Sequence, residues 1–229
     1  MRTLALLNDA ITACRRCPRL VQYREEVART KRRQFQSWEY WGRPVPGFGD
    51  PRARLHVVGL APAAHGGNRT GRVFTGDRSG DWLYEALHRF GFASQPTSTD
   101  RGDGLTLADC YVGATVRCAP PGNKPLPSEF EACRPFLREE RALLPRATVV
   151  IALGKIAFDQ YLKVCRDGGL AVPSPIPRFR HDARYRLPSG LTLLGSYHPS
   201  QQNTFTGKLT RPMFHAVFRT ARKILDQTQ

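Results

Sequence analysis

The sequence predicts an α/β protein, a three-layer α/β/α sandwich around a central, mainly parallel sheet of four strands. Three observations carry that expectation. Four short apolar runs rich in β-branched residues recur along the chain. Amphipathic helical patterns lie between them, and the loops that follow the runs hold the least ordinary residues. The runs cover 54–60, 110–116, 147–153 and 191–197. Each is apolar without alternation, as a strand buried on both faces of a parallel sheet must be.

The elements follow in chain order. The N-terminus, MRTLALLNDAITAC, is apolar only briefly before Asn8 and Asp9, so it reads as an amphipathic helix and not as a cleaved signal. Residues 43–51 (RPVPGFGDP) form a Pro/Gly-rich connector into the first strand. Residues 80–90 place Trp82, Leu83, Ala86, Leu87 and Phe90 at helical spacing. Residues 128–144 offer Ser128 as an N-cap, with Phe130, Cys133, Leu137 and Leu144 on one side. Helices over 154–164 and 212–225 complete the set, and 168–186, rich in Pro and Arg, reads as an extended surface excursion. No internal repeat or long linker divides the chain. Residues 1–229 are therefore expected to form a single domain, with 1–50 a helical or extended N-terminal segment.

Hydrophobic residues at 41% and charged residues at 24% are ordinary for a globular protein. The charge balance is not: 35 Lys plus Arg against 19 Asp plus Glu give a formal +16 and a pI near 10.3. Such an excess attracts polyanions, of which nucleic acid is the commonest. The basic residues are dispersed, which points to a folded basic surface and away from a nonspecific tail. Solvated surface charge is the competing reading. No stretch approaches the roughly 20 apolar residues needed to span a bilayer. A cytoplasmic location without membrane contact is expected, where thiols stay reduced and six cysteines invite a metal before a disulfide.

Cys14 and Cys17 form a C-x2-C pair, and Cys118 and Cys133 stand far downstream. Four thiolates can hold a zinc ion or a [4Fe–4S] cluster. The second half is not C-x2-C, so a zinc ribbon fits poorly, while four inert buried thiols remain an alternative. Cys110, inside an apolar run, and Cys165, at a helix end, read as small core residues.

Two loops stand out. After the first run comes GLAPAAHGGNRTGRVFTGD at 59–77, whose small residues let backbone approach a ligand closely. Phe74 adds an aromatic face and Asp77 a carboxylate; the plain alternative is a turn with a core Phe and a helix-capping Asp. After the fourth run comes HPSQQNTFTGKLTR at 198–211, rich in donors and cations suited to phosphates and base edges, or else an ordinary polar surface loop.

Together these two blocks resemble the signature motifs of the family 5 uracil-DNA glycosylases. CAPPGNKP at 118–125 is similar to that family's third block, and Cys14, Cys17, Cys118 and Cys133 match its four [4Fe–4S] ligands in order and approximate spacing. The matches run from residue 14 to residue 211. The resemblance implies a base-excision repair enzyme that hydrolyses the N-glycosidic bond of uracil and leaves an abasic site. It implies a cytoplasmic, nucleoid-associated monomer acting on double-stranded DNA, with single-stranded DNA a further substrate. The damaged base would be rotated into a pocket. By resemblance Phe74 stacks on the uracil, backbone of Gly59, Leu60, Ala61 and Ala63 contacts it, and His198 meets its O2 carbonyl. Asp77 lies near the sugar and joins His198 in catalysis, and Asn123 is a further pocket residue. Arg69, Asn203, Thr204, Thr206, Lys208 and Arg211 would contact DNA, the last five from a segment entering the minor groove.

The departures matter as much. Leu60 and Ala61 stand where other uracil glycosylases carry a water-activating acid, and Ala114 stands where relatives carry a uracil-reading Asn. Family 5 shares both losses. A pocket lacking that amide rejects other bases less strongly, so a wider range of deaminated bases is expected. A noncatalytic DNA-binding protein and an iron–sulfur redox sensor on the same fold are the competing functions. The first is disfavoured by the presence of Phe74, Asp77 and His198, the second by the lack of any feature suited to an electron partner.

Overall fold

The computed structural model describes residues 3–227. The Thr3 hydroxyl accepts from the Leu6 amide at 3.3 Å and caps α1 (Leu4–Thr12). Pro18 opens α2 (Pro18–Thr30), where its missing N–H is harmless because first-turn amides have no intrahelical acceptor. Then come β1 (Phe48–Gly49), β2 (Leu55–Gly59), α3 (Gly67–Thr70) and α4 (Arg78–Arg89). The central part supplies β3 (Cys110–Ala114), α5 (Pro127–Ala142), β4 (Val149–Leu153) and α6 (Lys155–Asp167). β5 (Arg184–Arg186), β6 (Thr192–Ser196), α7 (Gln201–Phe205) and α8 (Arg211–Asp226) complete the chain.

The sheet runs β1-β3-β2-β4-β6-β5. Its four central strands are parallel and are the four expected runs, while β1 and β5 pair antiparallel at the two edges. The sheet thus has six strands, not the four expected. β1 is two residues inside the Pro/Gly connector, and β5 reads Arg-Tyr-Arg with both arginines exposed, so neither carries an apolar run. α5 also begins earlier than expected. Leu126, not Ser128, is its N-cap; Pro127 takes the first helical position and Glu129 Oε2 accepts from the Leu126 amide at 2.7 Å.

Neighbouring residues of each strand face opposite layers, and both layers are dry. Val57, Val112, Ile151 and Leu194 pack with Leu83, Leu87, Phe214 and Phe218 of α4 and α8. Val58, Val150, Ala152 and Leu193 pack with Leu137, Phe158, Tyr161 and Leu162 of α5 and α6. This is why the strands are apolar throughout: each fully buried aliphatic side chain contributes about 1.5–3 kcal/mol on either face. Cys110 and Cys165 lie in these two layers as core residues. One charged group interrupts the second layer. Arg117 donates to the fully buried Glu140 at 2.7 Å, and His56 Nε2 stands 3.4 Å from the same carboxylate. Burial, the largest single effect, would raise the Glu140 pKa; Arg117 and His56 together overcome it and hold the carboxyl below its ordinary value.

Because the four central strands are parallel, their carboxyl ends lie along one edge, where open α/β sheets collect their ligands. The two unusual loops begin there, at Leu60 and Tyr197. A wide depression at the opposite edge is lined by Asp50, Arg52, Arg54, Asp109 and Arg146, with Arg54 paired to Asp109 at 2.6 Å.

Candidate active site

The chain leaves β2 through residues stitched to the start of the next loop. Thr115 and Val116 amides donate to the carbonyls of Gly59 and Leu60 at 2.9 Å, and the Thr115 hydroxyl adds a 2.7 Å bond to Leu60. Leu60 and Ala61 pack against Val116, Cys118 and Cys133. Ala63 accepts at its carbonyl from the Gly66 and Asn68 amides and turns the chain into α3. This loop then returns Phe74 to the end of β2 and Asp77 to Gly66.

Phe74 sits in the left-handed region at φ 52°, a conformation a bulky side chain rarely adopts. The edge of its ring lies against Gly59, where a Cβ would come within 2.5 Å of Phe74 Cζ. Backbone and ring edge thus meet as only glycine permits. His198 closes the other side, its ring centroid 5.8 Å from that of Phe74 and tilted by 31°. Asn203 Nδ2 donates to the His198 carbonyl at 2.8 Å, fixing its backbone. Burial pulls the His198 pKa down to about 4, so the imidazole is neutral near pH 7.

Asp77 does two things. It is the N-cap of α4, with Oδ1 accepting from the Gly80 amide at 3.0 Å. Its other oxygen reaches Gly66, where a Cβ would stand 2.1 Å from Oδ2. Burial raises its pKa, only partly offset by the Gly80 and Ser79 amides. The capping reading of this residue holds, and its second oxygen is left facing Gly66.

The remaining expected residues scatter. Asn123 is exposed on a tight turn at φ 58°. Arg69, expected on the DNA-facing surface, is 4% exposed. Its guanidinium lies between the rings of Phe35 and Trp38, 3.9 and 4.0 Å from their centroids. It donates to the carbonyls of His65 and Gly76 at 2.8 and 2.9 Å. In this arrangement Arg69 braces the loop from inside. The hydroxyls of Thr204 and Thr206 donate back to Gln201 and Gln202 at 3.3 and 2.7 Å. Lys208 is exposed, with Nζ 5.1 Å above the Tyr197 ring. Arg211 is bound to Glu85 at 2.6 Å and lies 4.6 Å over Trp82. Beside them Phe205 is 67% exposed, with the Arg78 guanidinium 4.3 Å from its ring.

Next to this edge lies a small cavity lined by all four of Cys14, Cys17, Cys118 and Cys133, together with Arg24, Arg117 and Phe136. Residues 14–17 bring two thiols from the N-terminal segment; the stretch after β3 and helix α5 bring the others. None of the six cysteines is in a disulfide. Burial pushes the Cys118 thiol up to about 11 and Cys133 to about 12, so they are protonated thiols unless a cation compensates them. Among the described residues no group of three or more His, Cys, Asp or Glu is set to hold a single metal ion. Cysteines that bind a polynuclear cluster attach to different metal atoms, so they stand farther apart than ligands of one ion. Sequence reasoning missed Arg24, which reads as one surface cation among several on α2, and missed Gly66, whose role depends on where Asp77 returns.

The family model described as the Uracil DNA glycosylase superfamily matches residues 46–222. A type-5 uracil-DNA glycosylase of Mycobacterium leprae is 52% identical over 95% of this chain and 94% of its own length. One from Thermus thermophilus is 52% identical over 94% of this chain and 95% of its own. One from Pyrobaculum aerophilum is 46% identical over 93% and 89%.

Proposed function

Since the chain belongs to the uracil DNA glycosylase superfamily, we infer that it hydrolyses the N-glycosidic bond of uracil in DNA and leaves an abasic site for repair. The observation that carries the site assignment is the Phe74 ring against Gly59 at the end of β2, with the His198 ring, just past the end of β6, 5.8 Å away and Asp77 three residues on in the same loop, against Gly66. Phe74 receives the extruded base on its free face. As the bond between C1′ and the base nitrogen breaks, its electron pair leaves with the base and negative charge gathers on O2. Neutral His198 donates a hydrogen bond to that oxygen. The deoxyribose is left cationic, and the Asp77 carboxylate stabilises it. Water then adds to C1′ and its proton is released. Leu60 and Ala61 have no group to activate that water, so charge stabilisation carries the rate.

Backbone of Gly59, Leu60, Ala61 and Ala63 forms the pocket floor in this reading, and Asn123 swings in from its exposed turn. Asn203 positions His198 while Thr204, Thr206 and Lys208 face the minor groove of duplex DNA, with single-stranded DNA and other deaminated bases as further substrates. A monomer, folded as a single domain with 1–50 as its N-terminal segment, belongs to the same reading. Among the described residues no helix is long and apolar enough to cross a membrane. A DNA substrate supports a cytoplasmic, nucleoid-associated enzyme.

The cysteine cavity fits a [4Fe–4S] cluster. Four thiols and two buried guanidiniums line one space, a donor set suited to an anionic metal group. Cys14, Cys17, Cys118 and Cys133 would hold it, supplying metal–thiolate bonds that tie the N-terminal segment to the core beside Leu60 and Ala61.

Release of base from a duplex with one uracil, followed under single-turnover conditions, tests the activity. The wild type should leave an abasic site. His198→Ala should be slower by about 100-fold or more, the usual scale for one oxyanion donor. A wild type that binds this duplex without releasing base would favour the noncatalytic reading.

A further inference from the structure

The cysteine cavity holds one buried cation too many. Arg24, on α2, is 2% exposed and Arg117 is 1% exposed, and both line the cavity. Arg117 is matched by the fully buried Glu140. The other carboxylates nearby are committed: Glu129 takes both ends of Arg19 at 2.8 and 2.9 Å, and Glu25 takes both ends of Arg15 at 2.5 and 3.2 Å. Arg24 has only a 3.7 Å approach to Glu25, whose side chain is 43% exposed. Its near partners are the Cys14 carbonyl, 3.3 Å from Nη1 and Nη2, and Cys118 Sγ, 2.9 Å from Nη1. Among the described residues its buried Nε meets no acceptor, and neither do Nε and Nη1 of Arg117.

A buried guanidinium whose one carboxylate neighbour is half-exposed, 3.7 Å away and shared with Arg15 is poorly compensated, and a neutral thiol is too weak an acceptor to make up the difference. A metal-bound thiolate is not, because the bond then becomes charge-assisted. We infer that Arg24 is the dedicated counter-ion of an anionic metal cluster in this cavity, acting through Cys118. The inference rests on the cofactor reading above and adds to it a residue that is not a ligand. The same residue reaches the active-site loop. Its carbonyl accepts from Nδ2 of the fully buried Asn68 at 3.1 Å, in α3. Arg24 therefore joins the cavity to the segment that carries Phe74 and Asp77.

The test compares wild type, Arg24→Gln and Arg24→Lys, purified without oxygen, by iron content and by the midpoint potential of the cluster. Reduction adds negative charge, which a neighbouring cation favours. Arg24→Gln should therefore lower the potential by about 59 mV or more, a tenfold change in the one-electron equilibrium. Arg24→Lys, which keeps the charge, should recover most of that shift. An unchanged potential in Arg24→Gln, or a lysine variant as low as the glutamine one, overturns the proposal. Should Arg24→Gln purify without iron, the lysine variant decides: iron retained supports the counter-ion role and iron lost overturns it. A wild type without iron overturns the cofactor reading itself, before any variant is compared.

Discussion

At the scale of single residues, the two groups proposed for catalysis titrate in opposite directions, and burial is the leading cause in both. His198 is pulled down to about 4 from 6.5. Between those values the unfolded chain takes up a proton that the folded one refuses, so His198 costs stability as pH falls from about 6.5 towards 4 and nothing above that window. Through pH 5–8 it stays neutral, a donor without charge. Asp77 moves the other way. Its raised pKa means that the folded state disfavours the carboxylate, a cost present at neutral pH and relieved as pH falls. The proposed chemistry needs that carboxylate ionised. Single-turnover uracil release should therefore show no imidazole step near pH 6.5 and an acid limb set by Asp77, above the ordinary carboxylate value of 3.8. Asp77→Asn should be slow and should lose the limb. An identical acid limb in that variant would assign it elsewhere. That Asp77 caps a helix and that Phe74 and His198 follow strands were all readable from the sequence, because each lies within a few residues of a strong pattern. Arg69 was not. A cation in a Gly-rich loop looks the same whether it meets phosphate or lies between Phe35 and Trp38, and those two rings come from a segment with no periodic signal.

At the scale of elements, the four central strands were legible because burial on both faces leaves no freedom for polar residues in them. The edges were not, since β1 and β5 need only backbone pairing on one side and tolerate Gly, Arg and Tyr. The loop between β2 and α4 depends on a shape that no composition announces. It must fold back so that Asp77 lies against Gly66 while Phe74 lies against Gly59, and each contact leaves no room for a Cβ. Gly66→Ala is a direct probe. The added methyl meets Asp77 Oδ2 at 2.1 Å, and the carboxylate, as the free end of a short side chain, yields before the backbone does. Displacement of about 1 Å in a catalytic group can cost on the order of 100-fold in rate. Gly66→Ala should therefore lose uracil release on that scale while stability falls by no more than the loss of one helix cap, about 1 kcal/mol, because Asp77 also caps α4. A variant that releases uracil at near wild-type rate would show that the position of Asp77 against Gly66 has no part in the reaction.

At the scale of the whole molecule, the +16 charge predicts that DNA binding is strongly salt-dependent, because each phosphate neutralised releases condensed counterions. Charge count alone does not say which cations take part. The structure separates two that stand close in the sequence. Lys208 is exposed, with a Tyr197 ring beneath it and no carboxylate partner among its described contacts. Arg211 is bound to Glu85 at 2.6 Å, and His215 shares the same carboxylate at 2.8 Å. A cation already neutralised within the protein releases fewer counterions on meeting a phosphate. The plot of log binding constant against log salt should therefore flatten by about 0.9 in Lys208→Ala, the share of one phosphate contact on B-form DNA. Arg211→Ala should flatten it by clearly less, even where it weakens binding by loosening α8 from α4. The measurement is equilibrium binding to an uncleavable duplex over a range of salt concentrations. Equal slopes in the two variants, or a larger change in Arg211→Ala, would mean that Glu85 gives up its partner on binding and that the DNA-bound face is rearranged from the one described.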